Sequence, residues 1–266
     1  MIVEKKHKET NFKTLLLWSI LLVCTVAIPV LHNCNRTAKK NSMMKRELVP
    51  DNEKLETFQE LGFFGDIRED KWSNFLSAVQ NNVSNSRKEP GNLSFSLYQP
   101  ESGKRQPVWF ERFENKQAHS HHKEQGYFKD AITVIQRSLK GKANSITLKE
   151  VQEIPASITA LSDKPETTRH VIILFNVRPE KSQSFINAMA EVAFLSRKSK
   201  GNLEFNLYQY ADEPNKFVLM EGWESSADHE AQSNQVYIKK LNAATEGFFV
   251  SNPMDMRWLV KDISSK

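Results

Sequence analysis

The sequence predicts an α+β chain in which one β-α-β-β-α-β unit occurs twice, behind a single membrane-spanning helix. Three observations carry that reading. The string GNLSFSLYQ at Gly91 returns as GNLEFNLYQ at Gly201. Helical and alternating apolar patterns surround both strings in the same order. An apolar run without Asp, Glu, Lys or Arg occupies 15–32.

The run comes first in the chain. Its 18 residues rise about 27 Å as a helix, close to the roughly 30 Å of bilayer hydrocarbon. Trp18 suits an interface anchor. A cleaved signal peptide would end in a small-x-small site, which is missing here. Residues 1–14 form a basic head, 15–32 the signal anchor and 33–56 a polar tether. A short basic head stays in the cytoplasm, so the folded part is expected on the extracytoplasmic side, periplasmic in a bacterium. Beyond residue 34 the chain holds 33 basic and 30 acidic residues, so its net charge of +5 falls to +3. No basic face is left to suggest nucleic acid as a partner.

The register of the repeat is 110 residues. With that offset, Ser86-Arg87-Lys88 meets Ser196-Arg197-Lys198, Phe75 meets Phe185, Glu111 meets Glu221 and His119 meets His229. A first domain is placed at 57–154, a linker at 155–166 and a second domain at 167–266, aligned without a gap. The first strand is read at 61–67 and 171–177. The helix after it shows one apolar face: Phe75, Leu76, Val79 and Val83, matched by Phe185, Ile186, Met189 and Ala193. Gly91 and Gly201 sit where a helix C-terminal glycine belongs. The second strand alternates, with Leu93, Phe95 and Leu97 opposite Ser94, Ser96 and Tyr98. A third strand is read at 108–113 and 217–223, one long helix at 116–138 and 226–243, and a last strand at 146–154 and 256–263. This order is the split β-α-β, ferredoxin-like plan.

Other chemistries are excluded or weak. Neither G-x-G-x-x-G nor G-x-x-x-x-G-K-[ST] occurs, so no nucleotide loop is present. Two cysteines cannot frame a disulfide scaffold or a four-cysteine zinc site. His119 and His122 lack a third ligand at fixed spacing, so no metal is expected. His229 is read as solvent-facing.

Gly-Asn-Leu-x-Phe-x-Leu-Tyr-Gln, a Pro-Asn turn, Phe217-Val-Leu-Met-Glu221-Gly-Trp223, and a position nine residues after Trp223 together resemble the antibiotic biosynthesis monooxygenase family. The first copy offers Glu111, Phe113 in the Trp place, His122 and Tyr127-Phe128. The second offers Glu221, Trp223, Gln232 in the His place, and Tyr237. The resemblance implies a dimeric α+β barrel, which two copies in one chain can form as an intramolecular pseudo-dimer. It also implies oxygenation of electron-rich aromatics such as anthrones or quinols by O2, without metal or flavin. Haem-degrading relatives combine an Asn with a Trp and a His. Here Asn176 is accompanied by Gln232 and Asn242, so that triad is incomplete.

The resemblance assigns His122 as the base, with Asn176 and Trp223 beside it at the reacting centre. Tyr98 and Tyr208 are expected at the pocket or between the two sheets. Phe113, Glu111, Glu221 and Gln232 border the pocket, the two glutamates as hydrogen-bond anchors. The expected function is a membrane-anchored, cofactor-independent monooxygenase acting on a quinol or polycyclic aromatic, with O2 as co-substrate. The alternative is a non-catalytic module that binds a small hydrophobic ligand or an envelope protein. One copy keeps the His and the other the Trp.

Overall fold

A computed structural model describes residues 56–160 and 162–264. The basic head, the anchor at 15–32 and nearly all of the tether lie outside the described residues. Among the described residues no helix is long and apolar enough to cross a membrane.

The first copy comprises β1 (Phe58–Phe63), α1 (Trp72–Ser86), β2 (Asn92–Pro100), β3 (Val108–Phe113), α2 (Lys116–Glu124), α3 (Gly126–Ser138) and β4 (Asn144–Glu150). The second comprises β5 (Arg169–Asn176), α4 (Ser182–Ser196), β6 (Asn202–Tyr210), β7 (Lys216–Trp223), α5 (Ser226–Ser233), α6 (Val236–Ala244) and β8 (Arg257–Asp262). The eight strands close into one barrel in the order β1-β3-β2-β8-β5-β7-β6-β4. Closure depends on the last strand of each copy. β4 pairs with β1 of its own copy and with β6 of the other, Leu148 opposite Tyr210. β8 likewise bridges β5 and β2, Tyr98 opposite Asp262.

Each sheet is therefore covered on both faces. The inner faces form one core from Leu61, Tyr98, Val108, Phe110, Leu148, Ile172, Tyr208, Met220 and Val260. The outer faces carry the helices. Phe75, Val79 and Val83 of α1 pack on Phe95, Leu97 and Trp109. Phe185, Met189 and Ala193 of α4 pack on Phe205, Leu207 and Leu219. The polar-looking face of β2 and β6 thus turns into the barrel. Tyr98 and Tyr208 belong there, between the sheets and away from the helices.

Two expectations need correction. The long second helix is two helices, broken where Gln125 and Gln235 adopt extended backbone. Side-chain caps at Asn115 and Ser225 start the first of each pair, accepting from the amides of Ala118 and Asp228. The repeat is also not free of gaps. The 110-residue register holds from Ile67 and Val177, which make matching bridges to Leu139 and Phe249. In the first strands Phe58 faces Phe113 while Arg169 faces Trp223, so these strands are one residue out. The extra residue of the first copy is taken up at 64–66, where Gly65 has φ +62°. In the last strands Leu61 faces Ile146 while Ile172 faces Trp258, which places two additional residues before β8. Tertiary pairing sets these shifts, and no local sequence signal marks them.

The slip sets up an exchange of volume between the copies. Gly62 lies opposite Trp109, and a Cβ on Gly62 would stand 2.3 Å from the indole nitrogen. The paired positions in the second copy are Ile173 and Leu219. Trp109 packs edge-on to Phe64 and Phe95, with centroids 4.9 and 5.4 Å away. Gly62→Val is expected to overpack this site and cost about 1–3 kcal/mol in urea unfolding. Adding Trp109→Leu should restore part of that loss, since the pair then approximates the second copy. Equal stability of Gly62→Val and the parent protein would refute the close packing.

Candidate functional site

In the first copy the family's positions converge on a sealed cluster. His122 closes α2 and is fully buried. Its Nδ1 lies 2.6 Å from Glu89 Oε1, and the Tyr127 hydroxyl donates to the same oxygen at 2.6 Å. His122 Nε2 is 3.8 Å from Glu111 Oε2, while Glu111 Oε1 is 3.3 Å from His119 Nε2. The His119 ring stacks on Phe58 at 3.8 Å. Phe95, Phe113 and Phe128 surround the His122 imidazole. Burial lifts the Glu111 carboxyl to about 7, against the pull of His122. Burial, then Lys123, depresses His119 to about 4. The space between sheet and helices is filled by Trp109, Phe64 and Ile135, with Ile132 packed against them.

The equivalent space in the second copy is a cavity of about 560 Å³. Ile173, Phe175, Phe205 and Leu219 form its sheet wall. Phe185 and Met189 of α4 and Ile238 and Leu241 of α6 form its helix wall. Three differences open it. Leu219 stands for Trp109. Asn242 and Thr245 stand for Ile132 and Ile135. The last helix ends at Ala244, a turn short of its counterpart, and the chain leaves through Gly247 at φ +74°. The segment 252–254, which holds the added length before β8, lines the entrance.

Polar groups gather at one end. Glu221 Oε2 accepts from Trp223 Nε1 at 3.0 Å, which fixes the carboxyl against the sheet. Burial raises Glu221 to about 7; the Trp223 bond and Arg257 oppose that rise. Burial, then Arg257 and Arg169, depresses His229 to about 4. The Arg257 guanidinium lies 3.4 Å from His229 Nε2. Gln232 is held by Ser196, Ser199 and Tyr237, so it anchors the α5–α6 corner.

The structure therefore brings Glu111, Phe113 and His122 together in the first copy, and Glu221, Trp223 and Gln232 together in the second. Trp223 is fully buried behind Glu221 and does not line the cavity. Asn176 ends β5, where its Oδ1 accepts from Asn215 Nδ2 at 3.3 Å; the neighbouring Phe175 faces the cavity. His229, expected in solvent, is only 5% exposed. Sequence reasoning missed Arg257, because β8 is shifted in register. A larger trough of about 830 Å³ at one barrel end, beside Phe63 and Trp258, contains none of the motif residues.

These shifts have a thermodynamic consequence. A carboxyl raised from 4.5 to about 7 on folding contributes most below pH 4.5, and that contribution is lost as pH rises through 7. Glu221→Gln is therefore expected to gain stability over the parent protein on going from pH 5 to pH 8, by on the order of 3 kcal/mol. Parallel pH profiles of the urea midpoint for the two proteins would show that Glu221 ionises normally.

The chain matches the sequence model described as "Antibiotic biosynthesis monooxygenase" in two segments, 62–134 and 168–244, together more than half of its length. A curated protein of Bacillus subtilis, "Putative monooxygenase YcnE", is 33% identical over 51 residues. That match takes in 19% of this chain and 54% of the relative, so the chain spans about half the length of the relative it matches. Among solved structures, a "Putative monooxygenase" from Fusobacterium nucleatum superposes with a TM-score of 0.71 at 18% identity, over 79% of this chain and 93% of that one. An "anthrone oxidase-like protein" superposes with a TM-score of 0.56 at 12% identity, over 78% and 91%. Likenesses at these identities are of fold, and they extend through both copies. Two matched segments, each a half of one closed barrel, make this chain a member of the antibiotic biosynthesis monooxygenase family.

Proposed function

We propose that the second copy is the reacting one and that the chain is a cofactor-independent monooxygenase for a quinol-like or polycyclic aromatic. The observation that carries this reading is the apolar cavity ending on the Glu221 carboxyl. A phenolic hydroxyl placed there gives its proton to Glu221, whose raised pKa matches a base working near neutrality. The resulting phenolate, enclosed by apolar walls, is a strong reductant toward O2. One oxygen atom enters a ring carbon that carries hydrogen, ortho or para to the hydroxyl. The other leaves as water with the two hydrogens lost from O–H and C–H, and the product is the quinone. Trp223 orients Glu221. His229, neutral at physiological pH, offers a hydrogen bond to the substrate oxygen. The proton-acceptor role thereby passes from His122 to Glu221, and the first copy becomes the half that completes the barrel. The name of the Bacillus relative and the family description support this reading. Membrane anchoring through 15–32, which would bring the cavity to lipid-soluble quinols, is supported by the sequence alone.

Oxygen uptake with a panel of hydroquinones and naphthols tests the assignment. Glu221→Gln is expected to lower kcat by about 100-fold, the scale of a lost general base. His122→Gln is expected to lower thermal stability and leave kcat within about twofold of the parent protein, well below a lost-base effect. The reverse pattern would return the base to His122. Binding of these aromatics without any uptake would favour the non-catalytic module.

A further inference from the structure

The cavity wall of the second copy carries a guanidinium, Arg257, that makes no ion pair among the described residues. Arg257 starts β8 and is half-buried in the cavity wall. Among the described residues no carboxylate lies within ion-pair distance of its guanidinium, and its one side-chain hydrogen-bond contact is with His229. Arg169, nearby in charge terms, is in contrast held by both carboxylate oxygens of Glu101, at 2.8 and 3.0 Å, and by Glu230. Glu221 is the nearest acid inside the cavity, but its carboxyl is engaged by Trp223. Glu246 stands at the exposed rim. His229 adds a second unmet demand: it is 95% buried, lines the cavity, and its Nδ1 has no hydrogen-bond partner. An unpaired guanidinium in a mostly apolar enclosure is costly unless a ligand supplies the counter-charge.

We propose that the substrate is an aromatic acid, with a ring carboxylate adjacent to the hydroxyl that is deprotonated, and that Arg257 pairs with that carboxylate. The inference rests on the reading of the second-copy cavity as the reacting site. The geometry suits such a molecule. Arg257 and His229 stand 3.4 Å apart, so neighbouring groups of the protein meet neighbouring substituents of one ring. The apolar walls accept the rest of a fused ring system. A planar guanidinium binds a carboxylate through two parallel hydrogen bonds, which orients the ring as well as holding it. Arg257 is thus a specificity-determining residue: it selects the acid over the plain phenol.

The test is binding of 1-hydroxy-2-naphthoate and of 1-naphthol to the full chain, followed by calorimetry. The parent protein is expected to bind the carboxylate about tenfold or more tighter. Arg257→Gln should remove that preference while changing 1-naphthol binding by less than about twofold, and Arg257→Lys should keep part of it. Equal affinities in the parent protein, or an equal loss of both ligands in Arg257→Gln, would overturn the proposal. Leu219→Trp, which refills the cavity as Trp109 does in the first copy, separates the two readings. If it abolishes binding of both ligands, the cavity is the site and Arg257 alone is in question. If it changes neither, or if neither ligand binds the parent protein, the cavity assignment itself falls and the proposal with it.

Discussion

The exchange of β4 onto β6 and of β8 onto β2 is the constraint on which the rest depends. A single four-stranded copy would leave one face of its sheet bare, with Tyr98, Phe110 and Val108 in water. Pairing the last strand across the boundary covers that face and removes both sheet edges together. Neither copy is therefore a free-standing domain. The inner core is common property, and each helical layer then completes the outer face of its own half.

Sharing the core frees the two outer layers from having to be alike. Both kept the glutamate at the end of the third strand and the histidine on the short helix after it. Their surroundings diverged. Around Glu111 the layer is packed solid with aromatic and branched side chains, and His122 and Tyr127 share the Glu89 carboxylate. Around Glu221 the layer is thinned by Leu219, Asn242, Thr245 and an early helix end, and Glu221, His229 and Arg257 line a cavity. The same titratable pair serves stability in one half and is available for chemistry in the other.

Much of this was legible in the sequence. The GNLxFxLYQ strings and the helical stripes carried the repeat and the order of elements, and the family resemblance implied the pairing of copies in one barrel. The side-chain clusters around Glu111 and Glu221 also follow from the motif. What was not legible has a common cause. The one-residue and two-residue slips of β1 and β8 arise from cross-strand pairing, which leaves no trace in local propensity. They hid the Gly62–Trp109 contact and matched Arg257 to Thr147, when its structural counterpart is Ser145. The tyrosines of β2 and β6, expected at the pocket or between the sheets, lie between the sheets, where the inner face of a closed barrel buries them. His229 looked exposed because nothing in its own helix reveals the β8 wall opposite.

The interlock of Gly62 with the Trp109 indole also bears on descent. The Gly62 and Trp109 pair and the Ile173 and Leu219 pair of the second copy cannot be interconverted through single substitutions without loss of stability. Enlarging Gly62 first drives a side chain into the indole. Shrinking Trp109 first leaves a void of ring size under a glycine, and such voids cost several kcal/mol. Either intermediate is worse than both ends. The interlock is therefore a barrier seen from both sides: the two halves differ by a pair of substitutions that must be made together.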